Sequence, residues 1–458
     1  MPEPYQLTVT EALAEIGAGR LSPSELVESL LARIEQFDSS IHAWVRLDKE
    51  RARAAAEERA IEIAQGHVRG PLEGIPLGVK DIYHTAGLAT EAGSPLLAGF
   101  VPDSDADCVA QLRRAGAIIL GKTETTQFAL GDPAPTRNPW NLSHTPGGSS
   151  SGSAAAVAAR MVPAALGSQT AGSILRPAAY CGVVGFKPSW GRFSLRGVIP
   201  LAWSLDHAGL LTRSVADARL LFAVLDLRDH VTVQPSPGET PAFGLLRGSF
   251  IERADRETLA NLEDAAGRLA RAGARLREVQ FPEGFDLARD VHHSIMLSEA
   301  SAFHAARHAV HPEAYRPRLR STIEAGALIP AAAYLHAQRL RSELKVAATG
   351  LFDQVDCLLM PSAPSVAPAG LESTGDPSFN APWSLFGFPA IALPSGMSDS
   401  GLPHSLQIIG PAMEDALVLA AAAWAESVLG YLTPRPHSLG RKGETTGTGE
   451  LTRPSSDA

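Results

Sequence analysis

The sequence predicts a layered α/β domain, because helical and extended segments alternate along much of the chain. A helix predicted over residues 109–115 leads directly into an extended apolar run over 117–120. Farther along, a predicted strand over 243–246 is followed by a helix over 255–272 and a strand over 275–281. Such alternation is typical of helices packed on a sheet. Hydrophobic residues make up 45% of the 458 residues, which is normal for a well-buried globular core.

Local signals mark where the first helices begin. Thr8 and Ser22 each stand three residues before a glutamate, and this spacing is typical of a capping box at a helix start. The Ala-, Glu- and Arg-rich stretch over 48–65 predicts a surface helix. Residues 231–240 are Pro-rich and predict a loop that separates the first half of the chain from the second.

Composition and charge narrow the class of protein. Forty basic residues against 49 acidic ones give a net charge of −9, and the absence of a basic block argues against nucleic acid as a partner. Cys108, Cys181 and Cys357 form no CxxC pair, and they are expected to be buried thiols in a reducing compartment. No apolar run reaches 18 residues and the N-terminus lacks a signal pattern, so a cytoplasmic protein without a membrane anchor is expected.

Two glycine-and-serine turns are the strongest indication of chemistry. Residues 147–153 read GGSSSGS and residues 171–173 read AGS, and an alanine-rich run with helical spacing lies between them. Glycine lets the backbone approach other groups closely, and a serine beside such a turn can act as a nucleophile next to converging backbone N–H groups. Most Gly/Ser clusters are ordinary polar loops, so the turns alone leave both interpretations open.

Lysine use supports the catalytic interpretation. The chain relies on arginine for most of its positive charge, and its lysines are few. One of them, Lys80, ends the apolar, strand-like run over 74–80, where flanking hydrophobic side chains are expected to surround it. Lysine can lose its proton when it is desolvated, whereas arginine effectively cannot. Asp81 is expected on the opposite side of the extended segment.

Together, the segments GVKD at 78–81, GGSS at 147–150 and GS at 172–173 resemble the amidase signature family of Ser–cisSer–Lys amidohydrolases. The resemblance runs from about residue 8 to about residue 430, in matching order and spacing. It implies one large α/β domain with a central twisted mixed β-sheet covered by helices on both faces. It divides the domain into an N-terminal helical segment (1–70), the signature core (71–230) and a remainder with substrate-pocket loops (231–437). The last residues, 438–458, are polar and are expected to be a disordered tail.

The resemblance also implies roles for individual residues. Ser173 would be the nucleophile, Ser149 the bridging serine beside a cis peptide, and Lys80 the base. The backbone N–H groups of four residues would form the oxyanion hole, and these residues are Thr170, Ala171, Gly172 and Ser173. A proton would pass from Ser173 to Ser149 to Lys80 and return to the leaving nitrogen, which requires an uncharged lysine for part of the cycle.

Three positions depart from the commonest version of the family's nucleophile motif. Gln169 replaces an aspartate, Ala171 replaces a glycine, and the arginine is shifted by one place to Arg176. Because alanine adopts positive φ only with strain, the nest around the oxyanion is expected to have a slightly different shape. We interpret these departures as the mark of a subfamily, since the nucleophile and its neighbouring glycine are unchanged.

No cofactor or metal is expected. The Gly pairs match neither the Walker nor the Rossmann pattern, so no nucleotide is implied. Five histidines cluster over 292–311, and two of them, His304 and His308, are spaced to share a helix face. They lack a convincingly placed acidic third ligand and an HExxH motif, so surface histidines are the favoured interpretation.

The resemblance implies a hydrolase of carbon–nitrogen bonds in linear amides. The favoured function is a free-standing amidase that converts a small carboxamide to a carboxylate plus ammonia or an amine. The runner-up is the A subunit of a glutamyl-tRNA(Gln) amidotransferase, a glutaminase whose usual Asp-containing motif and arginine-rich element are absent here. A catalytically silent binding protein on the same fold is the third alternative. The expected partners are a small-molecule amide and, at most, a second copy in a homodimer; no nucleic acid or membrane is expected.

The substrate pocket is expected to have two walls. One is residues 128–135, and the other is contributed by loops that follow Asp286 in a long helical region.

Overall fold

A computed structural model describes residues 2–228 and 240–430. Its centre is a single mixed sheet, in which the eleven strands of these residues lie in the order β1-β3-β2-β4-β6-β5-β10-β11-β9-β7-β8. The predicted α/β class is therefore confirmed. The strands are β1 Trp44–Leu47, β2 Pro76–Lys80, β3 Ile118–Thr123, β4 Ala164–Gln169, β5 Val184–Lys187, β6 His207–Thr212, β7 Ala242–Arg247, β8 Arg275–Gln280, β9 Cys357–Pro361, β10 Ala390–Met397 and β11 Pro403–Ile409.

Helices precede, follow and connect these strands. In the described residues they are α1 Val9–Gly17, α2 Pro23–Ile41, α3 Lys49–Ala64, α4 Asp107–Arg114, α5 Ser151–Ala158, α6 Leu175–Cys181, α7 Val215–Leu225, α8 Arg256–Arg271, α9 Ala288–Val310, α10 Pro317–Ala327, α11 Ala331–Thr349, α12 Ala381–Phe386 and α13 Asp415–Leu429.

The elements predicted from local patterns are present with small shifts at their ends. Thr8 and Ser22 each form a complete capping box, in which the side chain accepts from the third helical N–H and the glutamate accepts from the cap N–H. Helix α4 leads into β3, and β7, α8 and β8 follow one another as expected. The predicted surface helix over 48–65 is α3.

The strands that carry the motif residues lie in the middle of the sheet. Strand β2 pairs in parallel with both β3 and β4, so the carboxyl ends of these strands meet at one edge. Every residue of β2 and β4 is buried. A parallel region buried on both faces requires continuous apolar or small side chains, and β2 and β4 are made of such residues except at their ends and at Ser168. Lys80 at the end of β2 thus contacts Ser168 near the end of β4.

Two short helices follow these strand ends. Helix α5 begins directly after Ser149 and Ser150, and all of its residues are buried because they are Gly, Ala, Ser and Val. Helix α6 begins two residues after Ser173. The small side chains let both helices approach the sheet closely, which brings the two Gly/Ser turns to the end of β2.

The remaining sequence expectations concern the predicted loop and tail, the cysteines and the absence of a membrane-spanning helix. Residues 231–239 of the predicted loop and the predicted tail at 438–458 lie outside them. The three cysteines are free and buried, as expected. In residues 2–228 and 240–430, no helix combines the length and apolar character that crossing a membrane requires.

A glycine in α5 gives a test of this close packing. A Cβ added at Gly152 would overlap the backbone of Ala43 and Glu124, neither of which can swing aside. We expect Gly152→Ala to lower the free energy of unfolding by about 3 kcal/mol, measured by urea denaturation.

The matched control is Gly17→Ala at the end of α1, where an added Cβ meets nothing within 4 Å. This change is expected to leave stability within about 1 kcal/mol of the parent chain. Equal unfolding free energies for the two variants would contradict the packing described here.

Candidate active site

The amine of Lys80 lies in a shell of serine hydroxyls. Its Nζ is 2.7 Å from Ser149 Oγ, 2.8 Å from Ser168 Oγ and 3.1 Å from Ser150 Oγ. The side chain is completely buried. The structure therefore brings together Lys80 and Ser149, as the sequence predicts, and adds Ser168 and Ser150 to the group.

The three hydroxyls around Lys80 Nζ can accommodate an uncharged amine. Ser150 Oγ donates its proton to Ser168 O at 3.2 Å, so toward Lys80 it can only accept. An uncharged amine can donate to Ser150 and Ser168 and accept from Ser149, whereas an ammonium group would donate to all three hydroxyls. The uncharged form is the one in which Ser149 can give its proton to Lys80.

Burial also drives Lys80 toward the uncharged form. Desolvation lowers the pKa of Lys80 well below its ordinary value, and the negative charge of Asp206 opposes this only in part. Asp206 is itself buried, and burial raises the pKa of its carboxyl to about 6. Its oxygens accept from Thr170 Oγ1 at 2.5 Å and from the N–H groups of Leu201 and Ala202 at 2.9 and 3.1 Å.

An arginine contacts the peptide unit that precedes Ser149. The peptide bond between Gly148 and Ser149 is cis. Arg176 donates to Gly148 O at 2.6 Å, to Thr374 Oγ1 at 3.1 Å and to Gly375 O at 2.8 Å. The shifted arginine of the nucleophile motif thus fixes the carbonyl of that peptide.

Ser173 and Ser149 line one small cavity of about 190 Å³. The N–H of Ser150 donates to Ser173 O at 3.3 Å, which ties the two turns together. Ala129, Leu130 and Gly131 form one wall, as predicted for residues 128–135. The second wall differs from the prediction, since it comes from helices, with Met296 of α9 and Arg318 of α10, instead of from loops. A further wall is the segment 373–377.

Gln169 substitutes for the family's aspartate without leaving a gap. Its Oε1 accepts from the N–H groups of Ile174 and Leu175 at 2.9 and 3.0 Å, and its Nε2 donates to Ser384 Oγ at 3.0 Å. The amide therefore caps the start of α6 without placing a charge in the interior.

Ala171 also fits its position. It is not among the residues with positive φ, so its side chain imposes no backbone strain on residues 170–173. The expected difference in the shape of the nest stays a prediction.

The histidine cluster over 292–311 corrects a second expectation. His292 and His304 are buried, with 4% and 0% of their surface exposed, and are not surface histidines. His304 packs edge-on against Phe128, with ring centroids 4.6 Å apart, and its Nδ1 is 3.2 Å from Tyr315 Oη. In residues 2–228 and 240–430, no group of three His, Cys, Asp or Glu side chains is arranged to hold a metal ion.

Sequence reasoning did not assign Ser168, Asp206 and His292 to this site. Ser168 precedes Gln169 on β4, and its contact with Lys80 depends on how the ends of β2 and β4 meet, which no local pattern marks. Asp206 lies within the part of the chain that resembles the family, but the resemblance implied no role for this residue. His292 reaches the site from 122 positions away, and no local pattern marks it.

A buried lysine amine that contacts serine hydroxyls is an arrangement that a serine hydrolase can use in place of a histidine base. The chain belongs to the amidase family, since the family described as Amidase matches residues 25–419. It is therefore a hydrolase of that family, which acts on carbon–nitrogen bonds.

Known proteins resemble nearly the whole chain. One is the A subunit of the glutamyl-tRNA(Gln) amidotransferase of Geobacter sp. (strain M21), which is 36% identical over 92% of this chain and 96% of that protein. A chain from an inhibitor-bound vestigial complex, linked to the origins of an s-triazine catabolic enzyme, superposes with a TM-score of 0.86. It is 32% identical over 93% of this chain and 99% of its own length. The peptide amidase from Stenotrophomonas maltophilia gives a TM-score of 0.82 and 30% identity, over 95% and 99%.

These similarities bear unequally on the two functions inferred from the sequence. The Geobacter relative supports the runner-up, the A subunit of an amidotransferase, more than the favoured free-standing amidase. The solved structures include a peptide amidase. The family is common to both functions.

The cap provided by Gln169 can be tested by mutation. Gln169→Ala would leave the buried N–H groups of Ile174 and Leu175 without an acceptor, and each lost acceptor costs about 1–3 kcal/mol. We expect the free energy of unfolding to fall by about 2 kcal/mol or more. Gln169→Glu keeps the acceptor but buries a charge, so its loss of stability should shrink as pH falls, which calorimetry across pH can measure. A Gln169→Ala chain as stable as the parent would contradict the capping role.

Proposed function

We propose that this chain hydrolyses a carboxamide through an acyl-enzyme on Ser173, with Ser149 and Lys80 as the proton relay. The observation that carries the proposal is the contact of a fully buried lysine amine with Ser149 Oγ at 2.7 Å. Serine is a weak nucleophile at its ordinary pKa and needs a base. A lysine whose pKa is lowered by burial meets that need.

The proposed reaction has two halves. Ser173 Oγ attacks the carbonyl carbon, its proton passes to Ser149, and the proton of Ser149 passes to Lys80. The negative oxygen of the tetrahedral intermediate is held by the N–H groups of residues 170–173. The C–N bond then breaks as the proton returns through Ser149 to the leaving nitrogen. Water next attacks the acyl group with help from the same relay, which releases the carboxylate and restores Ser173.

The cavity at Ser173 favours a compact amide end. Its volume of about 190 Å³ is modest, and among the described residues its lining includes two guanidinium groups, Arg176 and Arg318, but no carboxylate. Arg176 donates to three protein acceptors. The guanidinium of Arg318 donates to two, the carbonyls of Gly131 and Glu372. Within this cavity, a neutral or anionic group is therefore better accommodated than a cationic one.

A second candidate function is the glutaminase step of a glutamyl-tRNA(Gln) amidotransferase. It is favoured by the 36% identity to the A subunit from Geobacter sp. (strain M21). In that function the same relay would release ammonia from glutamine for a partner protein. Arg318 could pair with the carboxylate of glutamine. An adjoining cavity, which shares Ala171 and Met296 with the first, offers the carboxylates of Asp290 and Asp376 for the ammonium group.

The nucleophile can be tested without knowledge of the natural substrate. We expect a fluorophosphonate to label the parent chain at Ser173, as located by mass spectrometry, because an activated serine attacks the phosphorus and displaces fluoride. Ser173→Ala should be unlabelled and should lose amide hydrolysis, with an unfolding transition close to that of the parent chain. Labelling of the parent at another serine, or persistent hydrolysis by Ser173→Ala, would overturn the proposal.

The base gives a prediction in pH. Only uncharged Lys80 can accept a proton, so kcat/KM should fall as pH is lowered through the Lys80 pKa. Because burial lowers that pKa from the ordinary value of 10.5, the fall should lie on the acid side of a plateau that begins below pH 10.5. Lys80→Met should reduce kcat/KM by about 10³-fold or more, in line with the loss of general-base catalysis. A rate that is independent of pH, or an active Lys80→Met chain, would contradict the role of Lys80.

One experiment separates the two candidate functions. Ammonia release is measured from glutamine and from a panel of uncharged aliphatic and aryl amides, with and without the B and C subunits of a bacterial glutamyl-tRNA(Gln) amidotransferase. A free-standing amidase should hydrolyse an uncharged amide alone, with no stimulation by those subunits. A glutaminase component should instead prefer glutamine and be stimulated by them. Inertness toward every amide under both conditions would count against both functions.

A further inference from the structure

The direction of a backbone N–H depends on what holds the carbonyl of the same peptide unit. The N–H of one residue and the C=O of the preceding residue share a plane and point in opposite directions. The N–H groups proposed to form the oxyanion hole belong to residues 170–173. Their orientation is therefore set by whatever fixes the carbonyl oxygens of residues 169–172.

All four of these carbonyl oxygens have hydrogen-bond partners. Gln169 O contacts His207 Nδ1 at 3.3 Å, and Thr170 O contacts His292 Nε2 at 2.9 Å. Ser384 Oγ donates to Ala171 O at 2.8 Å. The fourth oxygen, on Gly172, accepts a helical N–H of α6 at 2.9 Å.

Three of the four partners are side chains from separate elements. His207 begins β6, His292 lies in α9, and Ser384 lies in α12, and all three are buried. A carbonyl oxygen can only accept, so the ring nitrogen that contacts it must carry the hydrogen. Burial lowers the pKa of His292 to about 4, so its ring stays uncharged at neutral pH.

We propose that His292, together with His207 and Ser384, positions the oxyanion hole by holding the carbonyl oxygens of its peptide units. This inference rests on the proposed acyl-enzyme function. A hydrogen bond to a carbonyl also polarises the peptide, which strengthens its N–H as a donor. His292 acts in this way on the unit that carries the Ala171 N–H. Fixed, polarised donors need no reorganisation when charge develops on the substrate oxygen.

Helix α9 also contacts the segment around Ser204 and Asp206, which in turn holds the side chain of Thr170. Met296, one turn after His292, lines the catalytic cavity. Glu299, nearly one turn farther on, accepts from Ser204 N at 2.9 Å and from Ser204 Oγ at 2.6 Å. Ser204 lies two residues before Asp206, which holds the Thr170 hydroxyl. One face of α9 therefore contacts the substrate cavity, the carbonyl of Thr170 and the segment that holds the Thr170 hydroxyl.

The test measures how fast Ser173 reacts with a fluorophosphonate, since the phosphoryl oxygen develops charge where the oxyanion would lie. In this reaction the Ser173 Oγ–P bond forms, the P–F bond breaks, fluoride leaves, and the serine proton passes to the relay. We expect His292→Leu to lower the second-order labelling rate by about 10-fold or more, less than the roughly 10²–10³-fold typical of deleting a donor outright. His292→Gln, whose amide nitrogen can replace Nε2 as donor, should recover most of that rate.

Two further variants complete the set. Ser384→Ala should slow labelling in the same way because Ala171 O loses its donor. His336→Leu, at an exposed position of α11, is the matched control and should label at the parent rate. Melting temperatures identify any variant that is not folded. If His292→Leu does not fold, His292→Gln and Ser384→Ala decide the question.

The outcomes are distinct. Parent-like labelling of folded His292→Leu, or of Ser384→Ala where His292→Leu does not fold, overturns the inference and leaves the proposed function standing. Equal slowing in folded His292→Leu and His292→Gln also overturns it, because a donor at that position would then have no effect. A parent chain that is not labelled at Ser173 overturns the proposed function and the inference together.

Discussion

The amine of Lys80 is enclosed at the end of a central strand, where it meets three serine hydroxyls and, among the described residues, no carboxylate within bonding distance. An ammonium group in this environment would lose its hydration and gain no partner of opposite charge in contact. The same enclosure gives an uncharged amine a full set of hydrogen bonds. Burial therefore favours the uncharged state that the proposed chemistry needs.

The central strands and helix α5 together enclose the amine of Lys80. Parallel pairing of β2 with β4 brings Lys80 and Ser168 to one edge of the sheet. A helix made of small residues, α5, then allows the turn with Ser149 to approach the amine from the other side. The negative charge of Asp206 raises the pKa of Lys80 in part. The oxygens of Asp206 accept hydrogen bonds from Thr170 and from the backbone of Leu201 and Ala202.

The sequence allowed the α/β class, the helix starts and the proximity of Lys80, Ser149 and Ser173 to be predicted, while the catalytic roles of these residues stay a proposal. Short-range patterns and a family resemblance carry that information, as with the capping box at Thr8 or the paired turns around Ser149 and Ser173. The supports of the site could not be predicted in the same way. His292 and Ser384 reach the oxyanion loop from positions 122 and 213 residues away, and such contacts depend on tertiary packing. The same is true of the two buried histidines, which sequence alone could not distinguish from surface ones.

Whether the fold holds Lys80 uncharged can be decided by measuring its pKa by NMR, on protein that carries lysine labelled with ¹³C at Cε. The chain has few lysines, and comparison with a Lys80→Met sample assigns the signal. We expect the Lys80 signal to be that of an uncharged amine at a pH where exposed lysines remain charged. A signal that titrates with the exposed lysines, near 10.5 or above, would show a charged amine in the site and would contradict its role as the base.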